Sequence, residues 1–145
     1  MNEWSAFFTA EVGASAALAG LVIVAISINL SRIMSFPLLP GRAAETLVGP
    51  TGVLVVSSYM LVPHQSMGQL GTEIAGAGLA MWLIPDLIQF QAVRRSFANK
   101  ELRIGRSIAG RFLLAQFSSL PIIVAGVLIV NGDRDGVAWI VPGVM

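Results

Sequence analysis

"AFFTAEVGASAALAGLVIVAISINL", residues 6–30, decides the class of fold. The stretch holds one ionisable side chain, Glu11, and is otherwise apolar or small. A helix needs about 20 such residues to cross a hydrocarbon core, and the stretch exceeds that. The whole 145-residue chain has the same character: 55% hydrophobic, 12% charged, mean hydropathy +0.78. These values lie outside the soluble globular range and inside the membrane range.

Three more runs have comparable length, near residues 44–62, 70–93 and 108–130. Only helices and closed barrels satisfy the backbone in lipid, and no run alternates with the period of two that a barrel strand requires. The expected fold is therefore all-α: one transmembrane helical domain over residues 1–145, an integral membrane bundle of four spans. A fifth apolar segment, residues 137–145, would rise about 14 Å as a helix, half a bilayer. It reads as an interfacial tail or the beginning of a fifth helix. Cysteine is absent, which excludes disulfides and thiolate metal chemistry. The first four residues, Met1-Asn2-Glu3-Trp4, lack the basic start of a signal peptide, and the run that follows is too long for one, so it reads as a retained span.

Net charge is only +1, but the basic residues are distributed unevenly. Arg32 and Arg42 follow the first run; Arg94, Arg95, Lys100, Arg103 and Arg106 follow the third, with Arg111 just inside the fourth. Basic residues near span ends stay on the cytoplasmic side. The expectation is a multi-pass protein of the inner (plasma) membrane with its N-terminus outside and the loops after spans 1 and 3 in the cytoplasm. Trp4, Tyr59 and Trp139 then share the outer interface, which amphipathic rings prefer. The segment "SFPLLPGRA", residues 35–43, is expected along the inner interface. "RRSFANKELRIGR", residues 94–106, reads as a basic cytoplasmic loop that attracts anionic lipid.

The stretches "FFTAEVGASAALAGLVIVAISINLSRI", "LPGRAAETL" and "LVPHQ" resemble a group of small bacterial membrane proteins, mainly actinobacterial. The similarity covers most of the chain and rests on packing and topology motifs. It implies a multi-span membrane protein and no particular chemistry, since the group has no assigned activity. Members usually continue beyond a segment like "WIVPGV" into another apolar run, which implies that the last span is cut short here.

Within the spans, two helical faces carry the polar candidates. Glu11 and Asn29 are five whole turns apart and share an azimuth, with Ser15 nearby, while Gly13, Ala16, Gly20 and Ser27 form an opposite face of small residues. Small faces allow close helix approach in lipid. Span 1 is thus expected at the centre of the bundle, packed through its small face. In span 3, Trp82, Asp86 and Gln89 form one stripe below Ala75 and Gly78, and Pro85 is expected to kink the helix beside the carboxylate. If the connection to span 4 is centred near Lys100, Asp86 and Gln89 come level with residues 114 and 111. Arg111, at the head of a stripe with Ala115, Ser118, Ile122 and Ala125, then reaches both. The pair reads as a structural tie, as part of an ion or proton path, or as a contact to another subunit.

Signals for catalysis are lacking. The one histidine, His64, lies in a turn, "GASAA" lacks the last glycine of a nucleophile elbow, and no phosphate-binding or dinucleotide motif occurs. No metal, cofactor or nucleic acid is expected. The expected partners are the lipid bilayer, anionic lipid on the cytoplasmic side, and further membrane subunits or copies of the chain. Two functions fit: a non-catalytic membrane protein acting through assembly, as a homo-oligomer or accessory subunit, or an oligomeric ion or proton channel with its path near Asp86 and Glu11. The tie predicts that Asp86→Arg combined with Arg111→Asp retains assembly in detergent that Asp86→Ala or Arg111→Ala loses. A swap as damaging as both single changes contradicts it.

Overall fold

The structure, a computed structural model, describes residues 4–36, 39–98, 120–132 and 136–144. All the regular structure in them is helical: α1 Ser5–Ile28, α2 Leu30–Met34, α3 Leu39–Leu61, α4 Met67–Ala98, α5 Leu120–Val130 and α6 Gly136–Val144. Two of these, α1 and α3, are long and apolar enough to cross a membrane. Only 6% and 17% of their most apolar stretches are buried.

The boundaries differ from the sequence expectation for local reasons. The first helix stops two residues before Leu30 because Asn29 leaves helical geometry (φ −101°, ψ 12°) and its Nδ2 donates to the Ala25 carbonyl at 2.9 Å. An asparagine side chain that takes a backbone carbonyl competes with helix continuation, and α2 is a single further turn. The third helix begins at Leu39, so residues 39–43 of the segment 35–43 are helical. Pro40 sits in its first turn, where a missing N–H costs nothing. The fourth helix spans 32 residues, about 48 Å, and carries Arg94 and Arg95 on helical backbone. The basic segment 94–106 therefore begins as helix instead of loop, and its remainder from residue 99 lies outside the described residues, as does the expected start of span 4 at 108. Both Pro50 and Pro85 lie inside helices that continue across them.

Helix ends follow recognisable chemistry. Ser66 and Gln69 form a capping box at the start of α4: the Gln69 N–H donates to Ser66 Oγ at 3.3 Å, and Ser66 N–H donates to Gln69 Oε1 at 3.4 Å. Just before it, His64 adopts φ +62°, a left-handed turn conformation that costs a side-chain-bearing residue energy. Gly132 takes φ +83° after α5 and donates to the Ile129 carbonyl at 3.0 Å, closing that helix without such a cost.

Packing proceeds in chain order. The α1 helix lies along α3, and α3 lies along α4. The α4–α5 contact is made through glycine: a Cβ at Gly71 would fall 2.6 Å from the Val130 nitrogen, one at Gly126 2.7 Å from the Ala75 Cα, and one at Gly78 3.0 Å from Ile122 and Ile123. The segment 136–144 folds back on α5, with Gly136 against Ile129 and Gly143 against Ile122. It is thus a helix packed along α5. Val137, Ile140 and Val144 join Leu70, Ile74, Ile122, Ala125 and Ile129 in the buried core.

The predicted consequence is selective. Leucine at Gly71 or Gly126 must push backbones apart and should lower stability by about 1–3 kcal/mol or more. Leucine at Gly13 or Gly20, where a Cβ meets nothing within 4 Å, should leave the melting temperature of the detergent-solubilised monomer unchanged or higher.

Candidate functional site

The polar candidates of α1 do not share one environment. Ser15 is buried and donates its hydroxyl to the Glu11 carbonyl, and Glu11 itself is half-buried. Asn29 is exposed and spent on the helix end. The buried stripe Phe8, Ser15, with half-buried Val12, Ala19, Val22 and Ile26 between and beyond, is the one that meets α3. Gly13, Ala16, Gly20 and Ser27 are all exposed and take no part in packing within the described chain. Among the described helices, the extended packing partner of α1 is α3.

Side-chain hydroxyls show how the helices tolerate their polar residues. Ser27 donates to the Ile23 carbonyl at 2.8 Å, Ser58 to Leu54 at 2.7 Å and Thr9 to Ser5 at 2.8 Å. A serine satisfied by its own helix presents a small, nearly apolar surface, so Ser27 belongs with the glycines beside it. Ser57 is the exception: its residue is fully buried and its Oγ has no hydrogen-bond partner. Sequence inspection gives no sign of this, because Ser57 and Ser58 differ only in which way the helix turns them.

On α4, Trp82, Asp86 and Gln89 are half-buried or less exposed than the leucines around them, with Leu87 58% exposed. They continue downward the stripe that Gly71, Ala75 and Gly78 begin against α5. The contacts Gly71–Val130, Ala75–Gly126 and Gly78–Ile122 all join residues whose numbers sum to 200 or 201. That is the register centred near Lys100 on which the Asp86–Arg111 tie was argued. Arg111 itself, with Ala115, Ser118, Lys100, Arg103 and Arg106, lies outside the described residues. The contact face of α5 is turned slightly from expectation: Gly126 meets α4, while the Ala125 carbonyl lies against Gly136 of α6. Gln89 Oε1 is enclosed and has no hydrogen-bond partner.

At the other end, Gln65 donates Nε2 to Glu73 Oε2 at 2.7 Å, tying the α3–α4 turn to α4. Neither residue stood out in the sequence, since a bond between a turn and the next helix leaves no periodic trace. Trp4, Phe7 and Phe8 stack edge to face at the start of α1, with centroids 6.1 and 5.2 Å apart. Between α3 and α4 runs an apolar groove of about 300 Å³, lined by Ala44, Leu47, Val48, Thr51, Gly52, Val55, Ala77, Ala80, Met81 and Ile84. No three histidine, aspartate or glutamate side chains among the described residues gather as a metal site.

Comparison with protein-family models, with curated proteins and with solved structures finds no match to this chain. The unpartnered Ser57 hydroxyl yields a direct expectation. Ser57→Ala removes a buried group that gains nothing, so it should leave thermal stability in detergent equal or raised by about 1 kcal/mol. Gln65→Ala strips a hydrogen bond from Glu73 but also removes the buried, unpartnered Gln65 Oε1, so it should lower stability by less than about 1 kcal/mol.

Proposed function

We propose that the chain is a non-catalytic integral membrane protein that acts by assembly, as a homo-oligomer or as an accessory subunit of a larger membrane complex. The observation that carries this reading is the outward side of α1. Leu21 is 69% exposed and Ile28 77%, and the small-residue stripe Gly13, Ala16, Gly20 and Ser27 stands open beside them. Burying an apolar side chain of that size is worth about 1.5–3 kcal/mol, so a row of them has to be covered by lipid or protein. Lipid suffices for the leucines. An open small-residue face is suited to another helix, because only a backbone can approach it closely enough to fill it.

On this reading α1, α3, α4 and a span over residues 108–130 cross the inner (plasma) membrane as four spans, with α6 reaching about halfway. The N-terminus is outside. The 48 Å length of α4 carries its basic end beyond a hydrocarbon core of about 30 Å, into the cytoplasmic headgroup region. The resemblance to small bacterial multi-span proteins points the same way. A second reading, an oligomeric channel or transporter, draws on the enclosed, unpartnered Gln89 Oε1 near Asp86. Such a path would run near Asp86 and Glu11.

Native mass spectrometry of the protein extracted from its own membrane tests the leading reading. The expected result is an oligomer or a stable complex, reduced to free single chains by Gly13→Leu and Gly20→Leu together, with helicity and melting unchanged. A wild-type chain that is strictly single and free of partners contradicts it. Ion or proton flux into liposomes that Asp86→Asn abolishes would instead favour the channel.

A further inference from the structure

The α3–α4 groove lies apart from every feature used so far, and its dimensions select among occupants. On α3 it runs from Ala44 to Val55, about 16 Å of helix, half the thickness of a hydrocarbon core and thus the depth of one leaflet. A groove of about 300 Å³ over that length is narrow and lined almost wholly by apolar side chains, which suits an extended hydrocarbon chain. Thr51 is the one polar side chain in the lining, and Gly52 beneath Met81 forms part of the floor. A groove of this kind has nothing with which to bind a polar ligand.

Charge stands beyond one end. Position 95 lies 18 residues, five whole turns, after Ala77, on the same face of α4 as the groove wall. It is about three turns past Ile84, on the far side of the contact between Gly41 and Ile88. An arginine at this position, preceded by Arg94, puts positive charge on the helix beyond that end of the groove, the side on which a phospholipid whose chain filled the groove would carry its phosphate.

We infer that the groove between α3 and α4 holds one acyl chain of an anionic phospholipid, with the basic end of α4 meeting its headgroup. The inference rests on the membrane reading above and adds a defined lipid site to it. In the test, the full chain is reconstituted in bilayers containing equal amounts of phosphatidylglycerol and phosphatidylcholine and released for native mass spectrometry. One phospholipid per chain should be retained, with phosphatidylglycerol favoured about tenfold or more. Ala80→Phe and Ala44→Phe, which fill the groove from opposite walls at exposed positions, should each lower retention about tenfold. Arg94→Gln with Arg95→Gln should abolish the headgroup preference and keep the lipid.

Undiminished retention in both groove-filling variants overturns the inference, and so does equal retention of the two lipids by the wild type. Dimers that Ala80→Phe and Ala44→Phe both dissociate would assign the groove to a second copy's helix and overturn it as well. Should one filling variant not fold, the other and the wild-type preference still decide. A chain that alkaline carbonate releases from membranes defeats the membrane reading itself, whereas a membrane-retained chain without bound lipid defeats this inference alone.

Discussion

The backbones of α4 and α5 meet where Gly71 and Gly126 leave no side chain between them, and that approach sets the geometry of half the molecule. A glycine contact of this kind fixes register, because one residue of slip would drive a Cβ into a peptide nitrogen. With the register fixed, Ile122 and Ile129 lie where Gly143 and Gly136 of α6 can close on them, and Leu70 and Ile74 are buried. The same register carries Trp82, Asp86 and Gln89 down the α5-facing stripe of α4. The position of the one mid-helix aspartate thus follows from small residues two to four turns above it.

The other half of the molecule is held differently. The α1 and α3 helices pack through medium-sized side chains, with Phe8, Val56 and Ser57 at the centre and an aromatic cluster at the start of α1. Hydroxyls bond within their own helices, so most polar residues here add neither cost nor cohesion. Among the described helices, α1 packs along α3 through the Phe8–Ser15 stripe. Its remaining surface, one apolar face and one small-residue face, has the character of a helix made for lipid on one side and another helix on the other.

Much of this was legible in the sequence, and the failures have physical causes. Helical class and the approximate extents of the long apolar runs follow from composition and the absence of period-two alternation. The register of α4 against α5 follows from chain geometry alone. The roles of the two α1 faces do not follow from their composition: a small-residue stripe says that close approach is possible, not which helix approaches, and the neighbour along the chain took the Phe8–Ser15 stripe instead. Asn29 and Pro40 moved helix ends by a few residues because capping is decided by single side chains. The unpartnered buried hydroxyl of Ser57, the Gln65–Glu73 bond and the α3–α4 groove are products of tertiary contact, with no periodic signature to find.

The absence of cysteine from the native sequence makes single-site spin labelling straightforward, and one such scan along α1 addresses the central claim. Nitroxides are placed in turn at Leu21 and Ile28 on the apolar face and at Gly13, Ala16 and Gly20 on the small face, with the protein in native-lipid bilayers. Collision rates are then measured with oxygen, which concentrates in hydrocarbon, and with a water-soluble nickel chelate. The account predicts high oxygen and low nickel accessibility at Leu21 and Ile28, and low accessibility to both reagents at Gly13, Ala16 and Gly20. Nickel accessibility at Leu21 equal to that of a label in the exposed turn at His64 would contradict it.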